Sequence, residues 1–129
     1  MTAKRVLIVD DSVAARIGIR SSLSKAGYEV IEAASGQEGI TKLENDPSIS
    51  LMLVDYHMEV MNGLEMISII RKNPLHEKIP VVMLTSESSK EARARSRELG
   101  VLAWAVKPCS MDLVVELIGK ILSARNGAC

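Results

Sequence analysis

The stretch RVLIVDDS, residues 5–12, decides the fold that this sequence predicts. After Arg5 it is a run of branched apolar residues that stops abruptly at two acids. Such a run is apolar on both faces, which is typical of a strand buried in a parallel sheet. A second run, LMLV at 51–54, stops at Asp55 in the same way. Ligands of open α/β sheets bind at the carboxyl ends of strands, so both runs predict acids at a binding edge.

Strand-like and helix-like segments alternate five times along the chain, which predicts an α/β domain with a parallel sheet covered on both faces. The predicted strands cover residues 5–10, 28–32, 51–54, 79–85 and 102–106. A residue type that commonly caps helix N-termini, Ser or Asn, precedes each helical pattern. These residues are Ser12, Ser35, Asn62, Ser88 or Ser89, and Ser110. Gly36 and Gly39 are expected to weaken the second helix.

The composition is typical of one globular domain. The chain has 129 residues, of which 47% are hydrophobic and 25% charged. We expect a single domain over 1–129, with its core at about 4–122 and a short tail at 124–129. Phe is absent, so the core must be built from aliphatic residues, Met and Ala.

Charge and hydropathy exclude several classes of function. The chain has 16 basic and 16 acidic residues, a balance that argues against direct nucleic-acid binding. No apolar stretch is long enough to span a bilayer, and residues 1–5 lead into a strand rather than a signal-peptide core. Cys109 and Cys129 lack metal-binding or redox spacing, which favours reduced thiols in a cytoplasmic protein.

Five polar residues follow or end the predicted strands, and a parallel sheet brings them to one edge. They are Asp10, Asp11, Asp55, Thr85 and Lys107. Any one of them alone is an ordinary turn or cap residue. Three carboxylates in one cleft require a compensating cation, and carboxylates suit a hard metal such as Mg²⁺. The joint pattern therefore predicts a functional metal site.

These residues occur in short runs that resemble a known family. The runs VDDS, VDYHM, MNG, LTS and VKP begin at residues 9, 54, 61, 84 and 106. Together they resemble the receiver (phosphoacceptor) domain of bacterial two-component response regulators, from about residue 4 to 122. The resemblance implies the flavodoxin-like doubly wound (βα)5 fold, with a five-stranded parallel sheet in the order 2-1-3-4-5. It further implies a stand-alone receiver of the chemotaxis or motility type.

The resemblance assigns the acids their roles. Asp55 matches the residue that accepts a phosphoryl group from a histidine kinase or phosphotransfer protein. Mg²⁺, with Mn²⁺ as the alternative ion, would be held by Asp11, Asp55 and the backbone carbonyl of His57. Asp10 would act on the ion through bound water.

Three further matches belong to the response to phosphorylation. Lys107 would pair with Asp55 and later with a phosphoryl oxygen, and the Lys107–Pro108 bond matches one that is commonly cis. Thr85 would turn inward to hydrogen-bond the phosphoryl group. Trp104 stands where the family has its switch Tyr or Phe, so its ring is expected to move inward with Thr85, although simple packing is the competing interpretation.

Other positions differ between members of the family. His57 and Glu87 occupy the two positions that tune hydrolysis of the acyl phosphate, and His57 is the better candidate. Glu59 replaces the usual proline, so the loop after Asp55 is expected to be more acidic and less rigid.

Lys90, Arg93 and Arg97 share one face of the fourth helix. A solvated surface is the usual interpretation of such a face. In this family the surface of the fourth helix, fifth strand and fifth helix often meets partners. There a basic face would suit an acidic downstream target.

The sequence therefore predicts a phosphorylation-dependent signalling switch that catalyses only its own phosphorylation and dephosphorylation. One alternative is an interaction module without useful phosphorylation, although the intact acids, Thr85 and Lys107 argue against it. Another is a receiver cut from a longer regulator or hybrid kinase, although Met1 and the missing linker favour a stand-alone chain. An aspartyl-phosphate phosphatase ranks last, because it needs an acid where His57 stands. No direct nucleic-acid or membrane partner is expected.

Overall fold

The computed structural model describes residues 3–127 of the chain, and the side chains of residues 3–124. Five parallel strands form one sheet in the order β2-β1-β3-β4-β5. The strands are β1 Arg5–Val9, β2 Glu29–Ala33, β3 Ile49–Val54, β4 Val81–Thr85 and β5 Ala103–Val106. The helices are α1 Val13–Lys25, α2 Gly36–Asn45, α3 Gly63–Arg71, α4 Lys90–Glu98 and α5 Met111–Gly127. The predicted flavodoxin-like fold is confirmed.

The sheet is buried on both faces because successive residues of its central strands point in opposite directions. Leu7 and Val9 of β1 belong to the core under α2, α3 and α4. Val6 and Ile8 belong to the core under α1 and α5. All four side chains are completely buried. The continuous apolar runs in the sequence therefore reflect strands with a helical layer on each side.

Side-chain caps fix the helix starts that the sequence predicted. The hydroxyls of Ser12, Ser35 and Ser89 each accept a hydrogen bond from a backbone N–H three residues later. Asn62 and Glu65 form a reciprocal capping box at the start of α3. The loops between β3 and α3 and between β4 and α4 thus end at fixed points next to the carboxyl edge of the sheet.

The glycines of α2 have a packing role. A Cβ atom on Gly39 would lie 3.0 Å from Val9 Cγ2 and 3.1 Å from Met66 Sδ. A Cβ atom on Gly36 would lie 2.8 Å from Met61 Sδ. These two glycines lower the helix propensity of α2, but they allow α2 to lie close to β1 and to the loop before α3.

Some predicted boundaries differ from those observed. β4 begins at Val81 rather than Ile79, after Pro80, which has no N–H to donate. α1 ends at Lys25, and Ala26 is its exposed C-cap residue. α5 continues to Gly127, so residues 124–127 of the predicted tail are helical. Cys129 lies outside the described residues. Within residues 3–127, no helix is both long and apolar enough to cross a membrane.

Candidate functional site

The three acids meet at the carboxyl edge of the sheet because β1 and β3 are neighbours. Val9 is paired with Val54, and the backbone N–H of Asp55 donates to the carbonyl of Val9 at 2.9 Å. Carboxylate oxygens of Asp10, Asp11 and Asp55 all lie within 4.8 Å of one another. The predicted juxtaposition of these acids is thus present.

The three carboxylates differ in exposure and in their partners. Asp10 is 2% exposed, and its Oδ1 accepts a hydrogen bond of 2.9 Å from the backbone N–H of Ser12. Asp55 is 9% exposed. Asp11 is exposed, and within the described part of the chain its carboxylate has no hydrogen-bond or ion-pair partner. Asp11 is therefore the acid most available to an incoming cation.

Lys107 bridges two of the acids. Its Nζ lies 3.0 Å from Asp10 Oδ2 and 3.5 Å from Asp55 Oδ2. The sequence resemblance paired Lys107 with Asp55, whereas the shorter contact is to Asp10. Burial lowers the pKa of Lys107, but the hydrogen bond and charge of Asp10, aided by Asp55, outweigh it, so the net pKa is raised. The ammonium group is thus charged at neutral pH and offsets part of the acidic charge.

Thr85 ends β4 and is completely buried. Its Oγ1 accepts a hydrogen bond of 3.2 Å from the backbone N–H of Glu87, and its carbonyl accepts one of 2.9 Å from the N–H of Lys107. The hydroxyl is therefore engaged with the β4–α4 loop, and its turn toward a phosphoryl group stays a prediction.

Glu87 connects residues that the sequence treated separately. Its carbonyl accepts a hydrogen bond of 2.8 Å from Trp104 Nε1, and its Oε1 lies 3.2 Å from His57 Nε2. Hydrogen bonds from Ser89, with a smaller contribution from His57, hold the pKa of Glu87 below its usual range. Through its backbone and side chain, Glu87 thus joins Thr85, Trp104 and the loop after Asp55.

The loop after Asp55 carries His57 at its start. The backbone N–H of His57 donates to Asp55 Oδ1 at 3.3 Å, and its ring meets the Tyr56 ring edge-on at 5.1 Å. Val60, next to Glu59, is completely exposed and has a φ of 70°. This left-handed conformation is uncommon for a β-branched residue. The role of the His57 carbonyl as a metal ligand stays a prediction.

Gly63 is a site residue whose role sequence reasoning missed. A Cβ atom at this position would lie 2.3 Å from the carbonyl oxygen of Asp55. The N–H of Gly63 donates to the carbonyl of Tyr56 at 2.9 Å. Asn62-Gly63 indicated only a turn or cap, yet the glycine lets α3 start directly against the backbone of Asp55.

Comparison with known proteins agrees with this geometry. The sequence profile of the response regulator receiver domain matches residues 6–119. The chain belongs to the response regulator receiver domain family. It is 32% identical to "Chemotaxis protein CheY1" of Helicobacter pylori over 123 residues, covering 95% of this chain and 99% of the relative. It is 30% identical to a "Chemotaxis protein CheY homolog" of Campylobacter jejuni, covering 95% of each.

Solved structures give the same result for this receiver domain. A CheY-like receiver domain protein from Methanospirillum hungatei has a TM-score of 0.92 at 31% identity, covering 99% of this chain and all of that one. Vibrio cholerae CheY4 has a TM-score of 0.86 at 31% identity, covering 92% and 98%. The chain is thus a response regulator receiver of the two-component and chemotaxis type.

The acidic cluster of this receiver domain has the chemistry of a divalent metal site. Three carboxylates lie within 4.8 Å of one another and one ammonium group contacts two of them, which leaves an excess of two negative charges (three minus one) at this edge. All the donors are hard oxygen atoms, the ligands that Mg²⁺ prefers. The residues present therefore fit the ion that the sequence predicted.

The basic residues of α4 are on the surface. Lys90, Arg93 and Arg97 are all exposed. Arg95 lies 3.0 Å from Glu98 in an ion pair along the same helix. A surface that binds a partner must be exposed, and these three residues meet that requirement. Their role in binding a downstream target stays a prediction.

Proposed function

We propose that this receiver domain is a signalling switch that takes a phosphoryl group on Asp55 from a histidine kinase or phosphotransfer protein. The observation that carries the proposal is that Asp55, at the carboxyl edge of the sheet, lies next to Lys107 and within 4.8 Å of two further acids. An Asp55 carboxylate oxygen forms the bond to phosphorus while the phosphorus–nitrogen bond of the phosphohistidine breaks. The departing imidazole keeps the electron pair and takes a proton, which leaves an acyl phosphate.

The surrounding residues lower the barrier by neutralising charge. Mg²⁺ on Asp11, Asp55 and the carbonyl of His57, with Asp10 acting through water, would neutralise the phosphoryl oxygens. Lys107 is already held at the site by Asp10, and it is available to move toward a phosphoryl oxygen as Asp55 loses its charge. The domain catalyses only its own phosphorylation and dephosphorylation.

The response then passes through Glu87. When the Thr85 hydroxyl turns to the phosphoryl group, the N–H of Glu87 loses its acceptor. The loop then rearranges, which alters the contacts of Glu87 with Trp104 and His57. Bistable packing of this kind converts a local charge into a change of surface.

The surface that changes consists of α4, β5 and α5. It combines the basic residues Lys90, Arg93 and Arg97 with the exposed apolar side chains of Val106 and Leu113. A partner of matching chemistry is an acidic protein segment with apolar anchors. The CheY relatives favour a chemotaxis or motility pathway in the cytoplasm.

Trp104 is the single tryptophan and reports this rearrangement. Adding beryllofluoride, a stand-in for the phosphoryl group, to the Mg²⁺-loaded protein is expected to change its fluorescence, because its indole N–H is bonded to Glu87. EDTA should reverse the change. Asp55→Asn should show none, whereas Asp112→Asn on exposed α5 should respond like the wild type. The absence of a fluorescence change in the wild type, or an equal change in Asp55→Asn, would contradict the proposal.

The His57–Glu87 contact is proposed to shield the acyl phosphate from water. Because Glu87→Gln weakens this contact, the variant is expected to lose its acyl phosphate faster than the wild type, by about fivefold. The decay is measured by mass spectrometry after labelling with acetyl phosphate and removal of the donor. Glu77→Gln, an exposed glutamate in the α3–β4 loop, serves as the control. Slower decay in Glu87→Gln would mean that His57 orients water instead.

A further inference from the structure

Arg16 of α1 holds the backbone that carries the metal ligands. Its Nη1 donates to the carbonyl oxygen of Asp10 at 2.6 Å, and its Nε donates to Glu32 Oε1 at 3.1 Å. The Arg16 side chain is only 14% exposed. A single guanidinium thus connects the end of β1 with Glu32 on the neighbouring strand β2.

Glu32 is itself anchored from three sides. Its other carboxylate oxygen accepts a hydrogen bond of 2.6 Å from Arg20, and its carbonyl accepts one of 2.6 Å from Lys42. The hydrogen bond of Arg20, followed by that of Arg16, lowers the pKa of Glu32, so this carboxylate is ionised at neutral pH. Arg16 is therefore held in place by a fixed charge rather than by solvent.

The contact to Asp10 matters because Asp11 depends on it. Every polar group of Asp10 is engaged: its N–H with Ala33, its carbonyl with Arg16, and its two carboxylate oxygens with Ser12 and Lys107. The carboxylate of Asp11, by contrast, has no partner within the described residues. The peptide that joins Asp10 to Asp11 positions the Cα atom of Asp11, and Arg16 holds the carbonyl of that peptide.

We propose that Arg16 is a positioning residue for metal binding, which orients the Asp10–Asp11 peptide so that the Asp11 carboxylate faces the ion. This inference rests on the proposed function and deepens it. Outer-shell groups that orient a metal ligand commonly change metal affinity by about 10- to 100-fold. Arg16 acts through the backbone and touches no reacting atom.

The test is calorimetric titration of the full chain with MgCl₂, without any phosphoryl donor. Arg16→Met is expected to weaken Mg²⁺ binding by about tenfold. In acetyl phosphate labelling, the half-saturating Mg²⁺ concentration should rise by about tenfold while the rate at saturating Mg²⁺ stays within about twofold. A merely structural role would lower the saturated rate and leave the half-saturating concentration unchanged.

Arg5→Met is the matched control, because Arg5 is a partly buried arginine whose ion pairs with Glu29 and Asp46 lie at the opposite end of β1 from the acids. It should bind Mg²⁺ like the wild type. Arg16→Lys keeps the positive charge but loses the planar guanidinium group that reaches both Asp10 and Glu32. Its Mg²⁺ affinity should therefore lie between those of Arg16→Met and the wild type. Wild-type Mg²⁺ affinity in either Arg16→Lys or Arg16→Met would overturn the proposal.

Two further outcomes keep the inference distinct from the proposed function. If Arg16→Met does not fold, Glu32→Gln removes the anchoring charge and should weaken Mg²⁺ binding in the same direction; unchanged affinity there would overturn the inference. A wild type that binds no Mg²⁺ would refute the proposed metal site. If the wild type binds Mg²⁺ and Arg16→Met binds it equally well, only the role of Arg16 is refuted and the proposed metal site stands.

Discussion

Asp55→Asn is expected to abolish labelling by acetyl phosphate, whereas the wild type gains the mass of one phosphoryl group in the presence of Mg²⁺. The amide retains the size of the carboxylate but has no anionic oxygen to form the acyl phosphate. Asp55 is the acid that lies against both Lys107 and the N–H of His57. Intact-protein mass spectrometry measures the outcome directly.

Asp112→Asn provides the control for this loss, because Asp112 is exposed in the first turn of α5. It should be labelled like the wild type. Labelling of Asp55→Asn to the same extent would remove Asp55 from its role as acceptor. Loss of labelling in the wild type without Mg²⁺ would separately support the acidic cluster as the metal site.

Gly63→Ala is expected to destabilise the fold by about 3 kcal/mol, at the upper end of what an added methyl group costs in a packed site. Its Cβ atom would lie 2.3 Å from the carbonyl oxygen of Asp55, a distance at which the backbone must move. The change should therefore also slow phosphorylation by shifting Asp55. Urea denaturation followed by circular dichroism measures the free energy of unfolding.

Gly18→Ala is the matched comparison for the same chemical change. Gly18 lies within α1, and a Cβ atom there would have no neighbour within 4 Å. It should stabilise the protein by about 1 kcal/mol, because alanine is a better helix former than glycine. Equal stability of the two variants would show that the backbone at Asp55 accommodates a side chain.

The local pattern of the sequence predicted much of the fold. Apolar runs such as 51–54 indicated buried strands. A strand that is covered on both faces has apolar residues at every position rather than at every second one. Serine caps such as Ser12 indicated helix starts, because capping is a contact between near neighbours in the chain. Boundaries near Pro80 and after Leu122 were less well predicted, because they depend on pairing and packing rather than on local propensity.

The sequence also predicted which acids would meet. Asp10 and Asp55 each follow a strand, and parallel neighbouring strands align their carboxyl ends, so their proximity follows from topology. The resemblance to receiver domains added the identities of Thr85 and Lys107 at the same edge. These assignments needed only the order of the residues along strands that share one direction.

Only the tertiary structure decided how these groups are connected. The contact between Lys107 and Asp10 joins residues 97 positions apart, and its preference over Asp55 depends on atomic distances. The links of Glu87 to His57 and Trp104, and of Arg16 to the Asp10 carbonyl, likewise cross from one element to another. Local patterns determine which residues reach the edge of the sheet, whereas packing of loops and helices around that edge determines which atoms meet.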